Sequence, residues 1–144
     1  MKIVFLGTGT SQGVPVIGCN CDVCKSCDGK DNRLRSSLFI AINNSNILID
    51  IGPDFRYQML RSGISSIDDI LITHQHRDHT AGLDDIRPIY YRSKKSINIY
   101  AEQSVCEALK MDFRYLFSGV DYPGKPKLSF KIIELKPFII NDVN

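Results

Sequence analysis

The stretch Asp69-Ile70-Leu71-Ile72-Thr73-His74-Gln75-His76-Arg77-Asp78-His79 decides how this chain is read. Residues 69–73 form an apolar run with the look of a buried strand, and the run ends directly at His74. The protein has three histidines in 144 residues, and all of them fall within six positions. His74 and His76 are two apart, so immediately beyond a strand they point the same way and can share one metal. The chain then turns into a helix at Asp78–His79, which redirects the next two donors toward a second position nearby. Imidazole and carboxylate are suitable ligands for zinc, manganese or iron. The bland alternative is a polar loop whose histidines cap a helix. The spacing and the strand before it favour metal.

Working outward, Ser37–Ile42 and Asn46–Ile51 are two apolar runs joined by Asn43-Asn44-Ser45, a hairpin signal. Lys2–Leu6 is a short strand that breaks at Gly7-Thr8-Gly9-Thr10. Pro53 is expected in the first turn of a helix carrying Phe55, Met59 and Leu60 and stopped by Gly63. Past His79 a helix is expected to about Ile86, with Pro88 kinking or ending it. Ile97–Ala101 reads as a strand. A helix from about Glu102 would put Val105, Ala108, Leu109 and Leu116 on one face. Ser118–Lys127 reads as a loop, then Leu128–Leu135 and Phe138–Ile140 as strands. Asn141-Asp142 is a turn signal with only Val143 and Asn144 after it, so the chain is expected to be truncated at its C-terminus.

From Gly7 to about Arg35 neither helical nor strand periodicity is visible, and loops this long usually carry function or a metal. Four of the five cysteines lie within nine residues: Cys19, Cys21, Cys24 and Cys27. In a reducing compartment such a cluster suggests metal before disulfides. A tetrahedral structural zinc needs four ligands, so Cys27 is either a fourth thiolate or a bystander. Free thiols and an iron–sulfur cluster are the competing readings. Cys106 reads as a small buried apolar group.

The chain is 43% hydrophobic and 24% charged, and reads as one globular domain, 1–144. A chain of this length buries roughly 68–70% of its unfolded surface. Net charge is +2. Lys94-Lys95 and the pair Arg33/Arg35 are too small to track a phosphate backbone, so no nucleic-acid partner is expected. The apolar start Ile3–Leu6 is too short for a signal-peptide core, and no 18-residue apolar run exists. A cytoplasmic location without membrane association follows as the default expectation.

Thr73–His79 resembles the signature of the metallo-β-lactamase superfamily, and Leu48-Ile-Asp-Ile-Gly52 resembles that family's acidic strand end. Gly7–Pro15, Gly18–Cys24 and Gly82–Arg87 narrow the resemblance to the branch containing the phosphoribosyl cyclic phosphodiesterase of phosphonate breakdown. The resemblance implies an α/β fold, a metallo-β-lactamase-like αββα sandwich, of which this chain supplies the N-terminal half plus part of the second. It assigns His74 and His76 to one metal and Asp78 and His79 to another, both Zn or Mn. Cys19, Cys21 and Cys24 would hold a structural zinc, with a histidine from outside these residues as fourth ligand. Asp50 would orient a metal-bound histidine, helix capping being its alternative.

The implied function is that of a phosphodiesterase acting on a small phosphodiester, cyclic ones included, with Asp78 as the catalytic candidate. Two metals about 3.5–4 Å apart are the expected centre. Alternatives are a tRNA 3′-end nuclease and a non-hydrolytic metal-binding protein of a quinone-cofactor pathway. With four donors present, the chain alone is expected to bind metal weakly and to hydrolyse little. Asp54, Arg56 and Asp84 read as rim or structural charges. The run Gly7–Gly13 lacks the Lys-Ser/Thr ending of a nucleotide loop, and its glycines are expected to let backbone approach beside the metals. An exposed sheet edge would favour a homodimer.

Overall fold

The computed structural model describes residues 1–119 and 122–141. The expected break at Asn141-Asp142, with Val143 and Asn144, extends outside those residues. Six strands form one sheet in chain order: β1 (Lys2–Gly7), β2 (Ser37–Ile42), β3 (Ser45–Ile49), β4 (Asp69–Leu71), β5 (Ile97–Ala101) and β6 (Leu128–Ile132). The first three are antiparallel and the last three run parallel to β3. The hairpin between β2 and β3 turns at Asn43 and Asn44, both at positive φ, a conformation that asparagine tolerates.

Register sorts the sheet into two faces. Val4, Phe39, Leu48, Ile70, Ile99 and Phe130 lie side by side across it and belong to the main hydrophobic core. Over them pack α1 (Phe55–Ser62), α3 (Arg87–Ser93) and α4 (Gln103–Asp112), through residues such as Phe55, Met59, Ile89, Val105 and Leu109. Alternation does the sorting, because successive strand residues point to opposite faces. The other face carries the row Phe5, Leu38, Ile49, Leu71 and Tyr100. Among the described residues, no helix layer covers it. The segment after β6 crosses it instead, with Phe138 stacked on Tyr100 at 6.2 Å between ring centres, and Phe5 is left 71% exposed. The described residues thus build one sheet and one helix layer, an α/β arrangement of the kind the resemblance implies. Among them, no helix is long and apolar enough to cross a membrane.

Several elements differ from expectation for identifiable reasons. β4 ends at Leu71, not Thr73, because the Thr73 N–H is taken by the Asp50 side chain rather than by a neighbouring strand. The helix expected to Ile86 is split: α2 covers Arg77–Thr80, a 3₁₀ stretch covers Ala81–Ile86, and α3 follows. Pro88 lies in the first turn of α3, where its missing N–H costs nothing, so it starts a helix instead of ending one. Pro53 lies before α1 and not within it; Gly63 closes that helix at φ 67°. Phe113 leaves the helical region at φ −115° and ψ 43°, which puts Leu116 on a separate short helix, α5 (Arg114–Phe117). Phe138–Ile140 is no strand. Only Ile140 forms a bridge, and the segment runs across the sheet face rather than along its edge.

Candidate metal centre

The centre grows from the ends of β3 and β4. Asp50, one residue past β3, stands at φ 60°, a left-handed conformation that costs about 1–3 kcal/mol and persists only where its surroundings impose it. Here they do. Its N–H donates to the Leu71 carbonyl at 2.9 Å, and its buried carboxylate accepts from the Thr73 N–H at 2.9 Å. Thr73 Oγ1 lies 3.0 and 2.9 Å from the two carboxylate oxygens. His79 Nδ1 is 2.7 Å from Oδ2. An ionised carboxylate only accepts hydrogen bonds, so His79 Nδ1 carries the hydrogen and its Nε2 faces the cluster.

The turn that carries the histidines is fixed to the same stretch. The Ile51 N–H donates to the His79 carbonyl at 2.8 Å, and the Gly82 N–H to the Ile51 carbonyl at 2.8 Å. Gly52 makes this contact feasible, because a Cβ there would sit 2.1 Å from the Asp78 carbonyl oxygen.

On that scaffold the predicted donors meet. The rings of His74 and His76 are 4.7 Å apart, edge to face; those of His74 and His79 are 4.1 Å apart. His79 Nε2 is 3.1 Å from Asp78 Oδ2, a separation that a proton or a cation can bridge. Arg77 between them turns away, pairing with Asp112 at 3.2 Å and lying over the Phe113 ring. No Lys or Arg among the described residues pairs with Asp78. The donor set, three imidazoles and a carboxylate with side chains one-fifth exposed at Asp78 and His79, fits divalent cations of the Zn or Mn kind. Its ligand atoms do not close on one point. Among the described residues, only Cys19, Cys21 and Cys24 bring three ligand atoms all within 4.8 Å of one another. The ligand atoms of the histidine cluster are not gathered as tightly as those of the cysteine trio.

The cysteine loop is a second, separate donor group. Cys19 Sγ and Cys21 Sγ are 3.5 Å apart, and the Val16 N–H donates to Cys24 Sγ at 3.4 Å. The Cys24 N–H and the Cys19 thiol hold the Cys21 thiol below its usual range. At Cys24 the Val16 N–H pulls downward, but hydrogen bonding with Cys19, burial and Cys21 together push the thiol up. Crowded thiols resist ionising together unless a cation offsets them. Cys27 lies outside the trio. Cys106 is 1% exposed and burial raises its pKa.

The glycines of Gly7–Gly13 admit close backbone approach, and the backbone they admit is that of the loop itself. A Cβ at Gly7 would lie 2.0 Å from the Arg35 carbonyl oxygen, and one at Gly9 2.6 Å from that of Arg33, so they admit the returning strand of the loop. Asp54 accepts from the Arg35 N–H at 2.8 Å and pairs with its guanidinium at 3.0 Å, a structural tie, while Arg56 and Asp84 are exposed. Thr73 was given no role, yet it touches both Asp50 and His74, whose Nδ1 lies 3.1 Å from its hydroxyl. A hydroxyl residue between a strand end and a first histidine was the available signal.

A family model described as a β-lactamase superfamily domain matches residues 45–141, which include the whole histidine cluster. The chain belongs to that superfamily. Within it, the metallo-β-lactamase-fold chain is 38% identical to a solved diphosphatase from the PhnP family, with a TM-score of 0.85 over 96% of this chain and 53% of that one. It is 46% identical over 138 residues to a protein of Porphyromonas gingivalis named octanoyltransferase, covering 95% of this chain and 27% of the relative. It is also 32% identical over 101 residues to the coenzyme PQQ synthesis protein B of Methylobacterium radiotolerans, covering 60% of this chain and 34% of that protein. The metallo-β-lactamase-fold chain thus spans between about a quarter and a half of the length of these relatives.

Proposed function

We propose that this metallo-β-lactamase-fold domain carries part of the centre of a metal-dependent phosphodiesterase acting on small phosphodiesters, cyclic ones included. His74 and His76 hold one cation, Asp78 and His79 the other, and Cys19, Cys21 and Cys24 a structural zinc. The observation that carries the reading is the convergence of His74, His76, His79 and Asp78 on a turn braced by Asp50. The likeness to a diphosphatase supports phosphorus over a β-lactam or thioester. When bound, two divalent cations supply Lewis acidity and a water acidic enough to act near neutral pH.

The chain's own residues do the positioning. Asp50 holds the His79 ring with Nε2 toward the centre. Asp78, paired with no Lys or Arg among the described residues, is placed to orient a water and accept its proton. No basic patch is required, because the cations provide the positive field. Four donors are fewer than two cations need, so these 144 residues alone are expected to bind metal weakly and to hydrolyse little.

A second reading, a non-hydrolytic metal-binding protein of a cofactor pathway, draws on the likeness to the PQQ synthesis protein. Metal analysis of the intact protein, with turnover of an aryl phosphodiester and of a diphosphate ester side by side, separates the two. The expected result is cation-dependent turnover that His76→Ala lowers at least a hundredfold. Full turnover in that variant, or none in the wild type at any cation loading, rules the hydrolase reading out.

A further inference from the structure

We infer that Thr73 is a positioning residue: its hydroxyl fixes the tautomer of His74 and joins that ring, through Asp50, to His79. The inference deepens the reading above, since it takes His74 and His79 as ligands.

The argument counts hydrogens. Thr73 Oγ1 lies 3.0 and 2.9 Å from the two oxygens of Asp50 and 3.1 Å from His74 Nδ1. A carboxylate has no hydrogen to give, and two oxygens at 2.9 Å with only lone pairs between them repel. The single hydrogen of the hydroxyl therefore points at Asp50. Toward His74 the oxygen then presents lone pairs alone, so His74 Nδ1 must be the donor. In a neutral imidazole that leaves Nε2 bare, and a bare nitrogen is what a cation binds.

His79 is tied to the same carboxylate by a shorter route, donating from Nδ1 to Asp50 at 2.7 Å, while its Nε2 faces Asp78 Oδ2 at 3.1 Å. One buried carboxylate thus sets both rings, one directly and one through a threonine. The result is a contiguous relay, His74–Thr73–Asp50–His79, running between rings whose centres are 4.1 Å apart and which the proposed function assigns to different cations. The Thr73 N–H also donates to Asp50, and a valine at 73 would keep that bond, so the hydroxyl can be removed while the main chain stays anchored.

The test uses histidine-labelled, metal-free protein on the alkaline side of the imidazole range. Long-range proton–nitrogen NMR distinguishes a protonated from a bare ring nitrogen. In the wild type and in Thr73→Ser, His74 should show Nδ1 protonated and Nε2 bare; in Thr73→Val it should show a mixture. Zinc titration should be weakened about 10–100-fold in Thr73→Val, as for other groups that orient metal-bound histidines, and restored toward wild type in Thr73→Ser.

A wild-type His74 protonated at Nε2 overturns the inference, even if the valine variant does not fold. So does a valine variant with unchanged tautomer and zinc affinity. If the wild type binds no cation but shows the expected tautomer, the metal reading falls and the role of Thr73 stands.

Discussion

A thiol reagent should divide the cysteines of this chain by their surroundings. Cys19, Cys21 and Cys27 are exposed, whereas Cys106 is buried against the core, and burial raises its pKa. Because the thiolate is the nucleophile, alkylation of the folded, metal-free protein near neutral pH should label the loop and spare Cys106. Added zinc should then protect Cys19, Cys21 and Cys24. Mass spectrometry reads both results, and zinc-insensitive labelling of those three would sink the structural-zinc assignment. At this scale the sequence was informative where chemistry is local. The histidine and cysteine spacings could be read directly because each donor's neighbours lie a few positions away. At Thr73 only a hydroxyl beside a histidine was visible, because its partner Asp50 is distant in the chain and only the fold shows the carboxylate turned toward it. The same holds for Gly52, whose near neighbour is the carbonyl of Asp78.

Strand β4 is three residues long, yet it sits between β3 and β5 and delivers the histidine turn. Ile70 at its centre is fully buried, packed in the row from Val4 to Phe130. Ile70→Ala should therefore cost about 2–5 kcal/mol, since a cavity adds to the lost transfer energy. Urea denaturation of the folded chain measures this, and a loss under about 1 kcal/mol would mean the row closes around the gap. The strands and α1 were legible because alternation and the 3.6-residue period report burial directly. The region after His79 was not. A 3₁₀ stretch carries no such period, and Pro88 reads equally as a stop or a start until the preceding turn is known. Phe138–Ile140 misled for another reason: an apolar run can lie across a sheet as readily as within one.

The two faces of the sheet have unequal cover. Helices bury one side, while the other leaves Ile3 48% and Phe5 71% exposed beside Leu38, Ile40 and Ile49. An apolar surface of this kind favours association, so the 144-residue chain should self-associate with rising concentration. Light scattering across a dilution series checks it, and a monomer at every concentration would contradict the expectation. The sheet has one further property, that its order in space repeats its order in sequence. During synthesis every strand after the first therefore emerges beside a neighbour already made, and none has to be threaded between two finished ones. The antiparallel trio at the front can close first and serve as the template for each parallel addition. The turn bearing the histidines, which follows the fourth strand, would then be moulded against a surface that already exists.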